Sequence, residues 1–198
     1  VKTVKKDEYL KLKTNRNQDL ITANEQEILR KYKVAVLGMS VGSNIAFVIT
    51  QAGISNKITI ADFDELDTTN LNRILAGLHE VGLNKTVVAS HRIYEDNPYA
   101  EVNTLPNGVN KENLEELLKR GEIDCIVEEI DDVLMKIETR KLALQYKVPV
   151  IMLTDNGDGV VLHVERYDLG YDKIFEKDLP YWTERLAGEM GKQLAGDI

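Results

Sequence analysis

The stretch from Lys33 to Arg73, KVAVLGMSVGSNIAFVITQAGISNKITIADFDELDTTNLNR, constrains this chain more than any other. An apolar run, Val34 to Leu37, stops at Gly38, and a turn with two glycines follows, Gly38-Met39-Ser40-Val41-Gly42-Ser43. A helix-like segment comes next, then a second apolar run, Ile58 to Ala61, ending on Asp62. Strand, tight turn, helix, strand and acid in series are the parts a nucleotide needs, in the order it needs them. Small residues let the backbone approach a phosphate, and a helix N-terminus offers free N–H groups and a positive dipole. The turn is not a full G-x-G-x-x-G, because Ser40 stands where another glycine would be, and a ligand-free strand-to-helix turn would read the same way. Asp62 lies 62 − 38 = 24 residues after Gly38. That is close to the ~20 expected of an acid that holds ribose hydroxyls.

Beyond this stretch the pattern alternates. Helices are expected over Asp19 to Tyr32, Ser43 to Ala52, Asn84 to Glu95, Lys111 to Arg120 and Asp132 to Gln145. Strands are expected over Val34 to Leu37, Ile58 to Ala61, Glu101 to Leu105, Cys125 to Glu128, Val148 to Leu153 and Val160 to Glu165, with a loop over Asp62 to Leu78. Strands separated by single helices imply an α/β fold, a Rossmann-like doubly wound and mostly parallel sheet with helices on both faces. The expected organisation is an N-terminal helical arm (1–32), a nucleotide-binding domain (33–168) and a less patterned C-terminal extension (169–198) with the lone Trp182. Ligands of such sheets sit outside the carboxyl ends of the strands, which is where Gly38, Asp62, Glu128 and Thr154 fall.

Bulk properties narrow the classes. At 198 residues a domain buries roughly 70% of its unfolded surface and needs no disulfide or structural metal. A net charge of 25 − 33 = −8 argues against a general DNA or RNA binder. No apolar run approaches the ~18 residues of a membrane span, and the N-terminus lacks an apolar signal core, so a cytoplasmic location is expected. Cys125 is the single cysteine and sits in an apolar run, as a buried strand cysteine would.

Further candidates follow Asp62. Asn70, Asn72 and Arg73 form NLNR, and an arginine forks onto phosphate oxygens and stabilises charge in a phosphoryl or nucleotidyl transition state. Lys85 opens a helix, where it opposes the dipole unless an anion is near. After strand four comes Glu128-Glu129-Ile130-Asp131-Asp132. Four carboxylates in five residues are relieved either by magnesium with nucleotide phosphates or by helix capping. Asp64, Glu65 and Asp67 read also as solvated loop charge.

Together these residues resemble the ThiF/MoeB family, relatives of the ubiquitin-activating enzymes. The resemblance runs from about Asn15 to Asp168 and is carried by ADFDELDTTNLNR and by GLNK, which ends at Lys85. The turn G-x-S-V-G, the VEE…D…K series (Val127, Glu128, Glu129, Asp131, Lys136) and the pieces VPVIMLTDNG and HVERYD are similar to the branch found beside or fused to nitroreductase-like domains. The resemblance implies ATP- and Mg2+-dependent adenylation of a carboxylate, on a ubiquitin-like protein's C-terminus or another acyl substrate, with release of pyrophosphate. It implies that Gly38, Ser40 and Gly42 line the phosphates, that Asp62 holds the ribose and that Asp64 is also at the nucleotide. It places Asn70, Arg73 and Lys85 on the phosphates, Glu128 beside the nucleotide and Asp131 on magnesium. Arg16, in TNRNQ, resembles an arginine that reaches into the partner subunit's site, which implies a homodimer. The glycine turn is one residue shorter than the family's, paired-cysteine zinc motifs are absent, and Glu128 stands where the family's acid is an aspartate. No cysteine follows strand five, so a thioester step on this chain is not expected. Thr154, Asp155 and Asp158 are the expected substrate-facing loop. Two other readings explain fewer residues: a non-catalytic nucleotide-binding or interaction module of the same fold, and an NAD- or FAD-dependent oxidoreductase.

Overall fold

A computed structural model describes residues 4–184 of the chain. Six strands form one sheet in the order β3-β2-β1-β4-β5-β6: β1 (Lys33–Leu37), β2 (Lys57–Ala61), β3 (Glu101–Leu105), β4 (Cys125–Glu128), β5 (Val150–Asn156) and β6 (Gly159–Glu165). The first five run parallel, and β6 returns antiparallel on β5 through a tight turn at Gly157-Asp158. The α/β doubly wound fold expected from the sequence is the fold observed.

The strands are short apolar runs because both faces of the sheet are covered. On one face Val34, Val36, Ile58 and Ile60 pack with Ala46, Ala89 and Ile93 from α3 (Val41–Gln51) and α4 (Lys85–Asp96). On the other, Ala35, Leu37 and Ile126 pack with Leu114, Leu118 and Leu142 from α5 (Lys111–Lys119) and α6 (Val133–Tyr146). Val36, Ile60 and Ile126 are wholly buried, and each contributes about 1.5–3 kcal/mol through that burial. Successive crossovers step outward from β1 to β3 and then restart at β4, so the chain reverses direction across the sheet between β1 and β4. That reversal opens a crevice at the carboxyl ends of the two central strands.

Several boundaries differ from expectation. The helix expected over Asp19 to Tyr32 is only α2 (Ala23–Leu29). Thr22 caps it with Glu25 in a reciprocal capping box, which fixes the start and leaves the residues before it in turns. A further helix, α1 (Lys6–Lys13), lies against the end of α4, where Tyr9 Oη donates to the Asp96 carbonyl and Lys13 pairs with the Asp96 carboxylate. Strand β5 begins at Val150 rather than Val148, after Lys147 closes α6 in the left-handed region. The loop after β2 carries two 3-10 turns, Thr68–Asn70 and Leu78–Glu80. Of the expected C-terminal extension, the stretch beyond residue 184 lies outside the described residues. Before it, Trp182 Nε1 donates to the Ile174 carbonyl at 2.7 Å.

Candidate active site

The turn after β1 is built by close backbone approach. Gly38 has φ +92°, and a Cβ there would stand 2.8 Å from the Glu129 carbonyl carbon and closer still to its oxygen. Its N–H donates to the Ala61 carbonyl at 2.8 Å, so the turn sits on β2 and against β4 at once. Gly42, in the first turn of α3, lets that helix descend onto Val36, whose Cγ1 would be 2.9 Å from an added Cβ. Asp62 fixes the turn from the end of β2: one carboxylate oxygen accepts from the Met39 N–H at 2.6 Å, the other from the Asp64 N–H at 2.8 Å. No side chain caps the N-terminus of α3. Its leading N–H groups are therefore left for an anion, while α4, α5 and α6 are closed by Asn84, Asn110 and Asp132.

Above this turn lies a cleft of about 320 Å³. Gly38, Ser40, Asp62, Asp64, Lys85 and Asp131 all line it. Phe63, Val109, Ile130 and Met135 give it an apolar side, and Asn110, Lys111, Glu129 and Asp132 add further polar groups. Phe63 is 74% exposed and lies over Gly108, a ring face open to stacking. The sequence did not single out Phe63 or the Gly108–Lys111 turn. The clue it held is positional, since NGVNK follows β3 at the carboxyl edge of the sheet, beside Gly38 and Asp62.

Lys85 and Lys111 line the cleft, and Arg73 stands beside its turn without lining it. Lys85 is nearly buried, and its Nζ pairs with the half-exposed Asp64 carboxylate at 2.7 Å. Arg73 is exposed beside the turn. Its Nε donates to Ser40 Oγ at 3.2 Å and its Nη1 to the Thr69 carbonyl and Asn72 Oδ1. Nη2 makes no hydrogen bond among the described residues. Asn44 Nδ2 donates to the Arg73 carbonyl at 2.8 Å, which ties the arginine's backbone to α3.

Other expected site residues fall elsewhere. Asn70 is buried, and its Oδ1 accepts from the Asp67 N–H at 3.0 Å, so it closes the 3-10 turn ahead of Arg73. Asp67 caps the same turn, and hydrogen bonding to the Thr69 N–H holds its carboxyl below the usual range. Arg16 is exposed on the turn Asn15–Asn17, where the neighbouring Asn17 Nδ2 donates to the Ala52 carbonyl. That is the C-terminal end of α3, about 16 Å along the helix from the cleft. Thr154, Asp155 and Asp158 are exposed at the β5–β6 hairpin tip and do not line the cleft.

Glu128 requires a correction. It was expected beside the nucleotide, but its side chain is wholly buried and is absent from the cleft wall. Its Oε2 pairs with Arg140 Nη1 at 2.6 Å, and its Oε1 pairs with Lys136 Nζ at 3.0 Å. The residue that lines the cleft is Glu129, since successive side chains leave a strand on opposite faces. Burial pushes the Glu129 carboxyl up, and a hydrogen bond from the Leu153 N–H opposes that shift. Asp131 is exposed in the cleft and makes no hydrogen bond or ion pair among the described residues, whereas Asp132 caps α6 through the Leu134 and Met135 N–H groups.

The residues suit a nucleotide with a hard cation. Magnesium takes one or two carboxylates plus phosphate oxygens, and Asp131 is a free carboxylate near an uncapped helix end. Among the described residues no three His, Cys, Asp or Glu side chains cluster as a preformed metal site. A wider, more open depression of about 610 Å³ lies at the opposite edge of the sheet, between Tyr32, Asp124 and Tyr146. Cys125 begins β4 at that edge, and burial pushes its thiol up to about 11.

A mostly parallel doubly wound sheet, with a nucleotide-sized cleft at its switch point and Lys85, Lys111 and Arg73 at or beside it, defines a nucleotide-binding α/β domain. The chain belongs to the ThiF family, whose model matches residues 12–166. It is 37% identical over 158 residues to the uncharacterized protein MT1398 of Mycobacterium tuberculosis, covering 80% of this chain and 22% of that protein. It is 34% identical over 139 residues to tRNA threonylcarbamoyladenosine dehydratase of Bacillus subtilis, covering 69% of this chain and 54% of that protein. The chain thus spans about a fifth and about half the length of these curated relatives. Among solved structures, the Escherichia coli tRNA N6-threonylcarbamoyladenosine dehydratase in complex with ATP superposes with a TM-score of 0.69 at 25% identity, over 75% of this chain and 61% of that one. The E. coli MccB complex with AMPCPP and MccA superposes with a TM-score of 0.60 at 26% identity, over 70% and 40%.

Proposed function

We propose that this protein binds ATP in the Gly38–Asp131 cleft and transfers its adenylyl group to a carboxylate. A carboxylate oxygen of the substrate attacks the α-phosphorus, the bond from that phosphorus to the bridging oxygen breaks, and pyrophosphate leaves with the electron pair. The observation that carries this reading is the convergence of Arg73, Lys85 and Asp131 on the turn and acid that a nucleotide already requires. A dinucleotide site gives those three residues no shared task. The ATP-bound dehydratase relative and the AMPCPP-bound MccB relative support ATP as the nucleotide, and the MccA in the second complex supports a peptide or small protein as one class of substrate.

In this reading the first N–H groups of α3 and the Ser40 hydroxyl receive phosphate oxygens. Asp62, which already orients the turn, keeps lone pairs free for ribose hydroxyls, with Asp64 beside it. Phe63 and Met135 cover the base. Lys85 exchanges Asp64 for a phosphate, and Arg73 offers its free Nη2 where charge grows as the pyrophosphate departs. Asp131 would hold magnesium, which when bound would supply neutralisation of the phosphate oxygens. Arg16 is remote from its own cleft, so any catalytic role for it requires a second copy, consistent with a homodimer. Cys125 lies at the opposite sheet edge and takes no covalent part.

The test is calorimetric titration of Arg73→Ala and Asp131→Ala with ATP and magnesium. Each is expected to weaken magnesium-dependent binding by about tenfold or more, and, once an acyl substrate is in hand, to cut pyrophosphate exchange by about 10²-fold or more. Wild-type binding in both variants, with an unchanged circular dichroism spectrum, would overturn the assignment.

A further inference from the structure

Behind the cleft is a buried ionic chain that the adenylation reading leaves unused. Arg140, on α6, is wholly buried. It pairs through Nη1 with Glu128 at the end of β4 and through Nε with Glu165 at the end of β6, each at 2.6 Å. Glu128 turns its other oxygen toward the cleft loop, where Oε1 accepts from the Ile130 N–H at 2.7 Å. Glu165 turns its other oxygen the opposite way, where Oε1 accepts from the Phe175 N–H at 2.9 Å. The Phe175 ring lies over the Arg140 guanidinium at 3.9 Å, and Phe175 holds φ +46°, a conformation an L-residue keeps only when its surroundings fix it. A continuous run of charge-assisted contacts therefore joins the segment after β6 to the backbone that carries Asp131.

Removing one partner of such a chain leaves an uncompensated buried charge, so its members hold one another in a single arrangement. Ile130 lies between Glu129, which lines the cleft, and Asp131. We propose that Arg140 and Glu165 are positioning residues for the nucleotide site: with Glu128 they set the 129–131 backbone that presents Asp131, and they make that placement depend on the seating of Phe175. This inference rests on the adenylation reading for what Asp131 does, but not for where the loop is held. Arg140, Glu128, Glu165 and Lys136, whose Nζ shares Glu128 Oε1 at 3.0 Å, do not line the cleft. Partners that hold a metal-binding loop typically change metal affinity by about 10–100-fold when lost.

The test uses Glu165→Gln, which keeps an acceptor for the Phe175 N–H while removing one charge from Arg140, with Phe175→Leu as a second variant that keeps all three ionic groups. Amide hydrogen exchange of Ile130 in the nucleotide-free protein reads the loop directly. It is expected to be about tenfold faster in Glu165→Gln and faster by a smaller factor in Phe175→Leu. The concentration of magnesium that half-supports ATP binding is expected to rise about tenfold in Glu165→Gln, while magnesium-free ATP affinity stays within about twofold. Should Glu165→Gln fail to fold, Phe175→Leu carries both readouts. Wild-type Ile130 exchange in a folded variant, whatever its melting temperature, would overturn the proposal. If the wild type binds no ATP, the adenylation reading falls, and the exchange measurement still decides whether the chain holds the loop.

Discussion

Replacing Gly38 with alanine tests the turn on which the site is built. Two costs combine there. At φ +92° an alanine is strained by about 1–3 kcal/mol. Its Cβ would also meet the Glu129 carbonyl carbon at 2.8 Å, a backbone group that cannot rotate aside, and overpacking of this kind costs about 1–3 kcal/mol. The sum is about 2–6 kcal/mol. For a chain of this size each kcal/mol moves the melting temperature by about 2–4 °C, so Gly38→Ala is expected to melt about 4–24 °C below the wild type by circular dichroism. Gly82→Ala separates the two costs, because Gly82 has φ +90° and nothing within 4 Å of an added Cβ. It is expected to lose only the conformational part, about 1–3 kcal/mol. Equal losses in the two variants would refute the claim that the close approach to Glu129 is what requires glycine at position 38.

Two more outcomes follow from burial. Because burial raises the Glu129 carboxyl, its stabilisation is complete below the ordinary carboxylate value of about 4.3 and is lost as pH rises through its folded value. Glu129→Gln is therefore expected to melt above the wild type at pH 7, with the gap closing toward pH 4; a variant that melts lower at pH 7 would contradict this. The Cys125 thiol, pushed up to about 11, carries little thiolate at pH 8, so its alkylation by iodoacetamide is expected to be about 100-fold slower than that of a free thiol. Labelling at the rate of a free thiol would show that it is not buried.

The central strands were legible in the sequence because each is an apolar run covered on both faces, as Val34 to Leu37 and Ile58 to Ala61 are. Their ends placed Gly38 and Asp62 correctly at one edge. α1 was not legible: KDEYLKLK buries only Leu10 and is held by Asp96, a contact between distant residues. The roles of Glu128 and Glu129 could not be separated either. They are adjacent and identical in type, and which one faces the core depends on Arg140, twelve positions further on. Asn70 holds a second part that NLNR does not announce, since its side-chain oxygen closes a local turn. Phe63 carried no periodic signal because it is exposed on a loop.

The most direct measurement is calorimetric titration of the wild-type protein with ATP, with and without magnesium, and with NAD for comparison. The account predicts ATP binding that strengthens with magnesium and little or no binding of NAD. NAD binding without ATP binding, or ATP binding indifferent to magnesium, would contradict it.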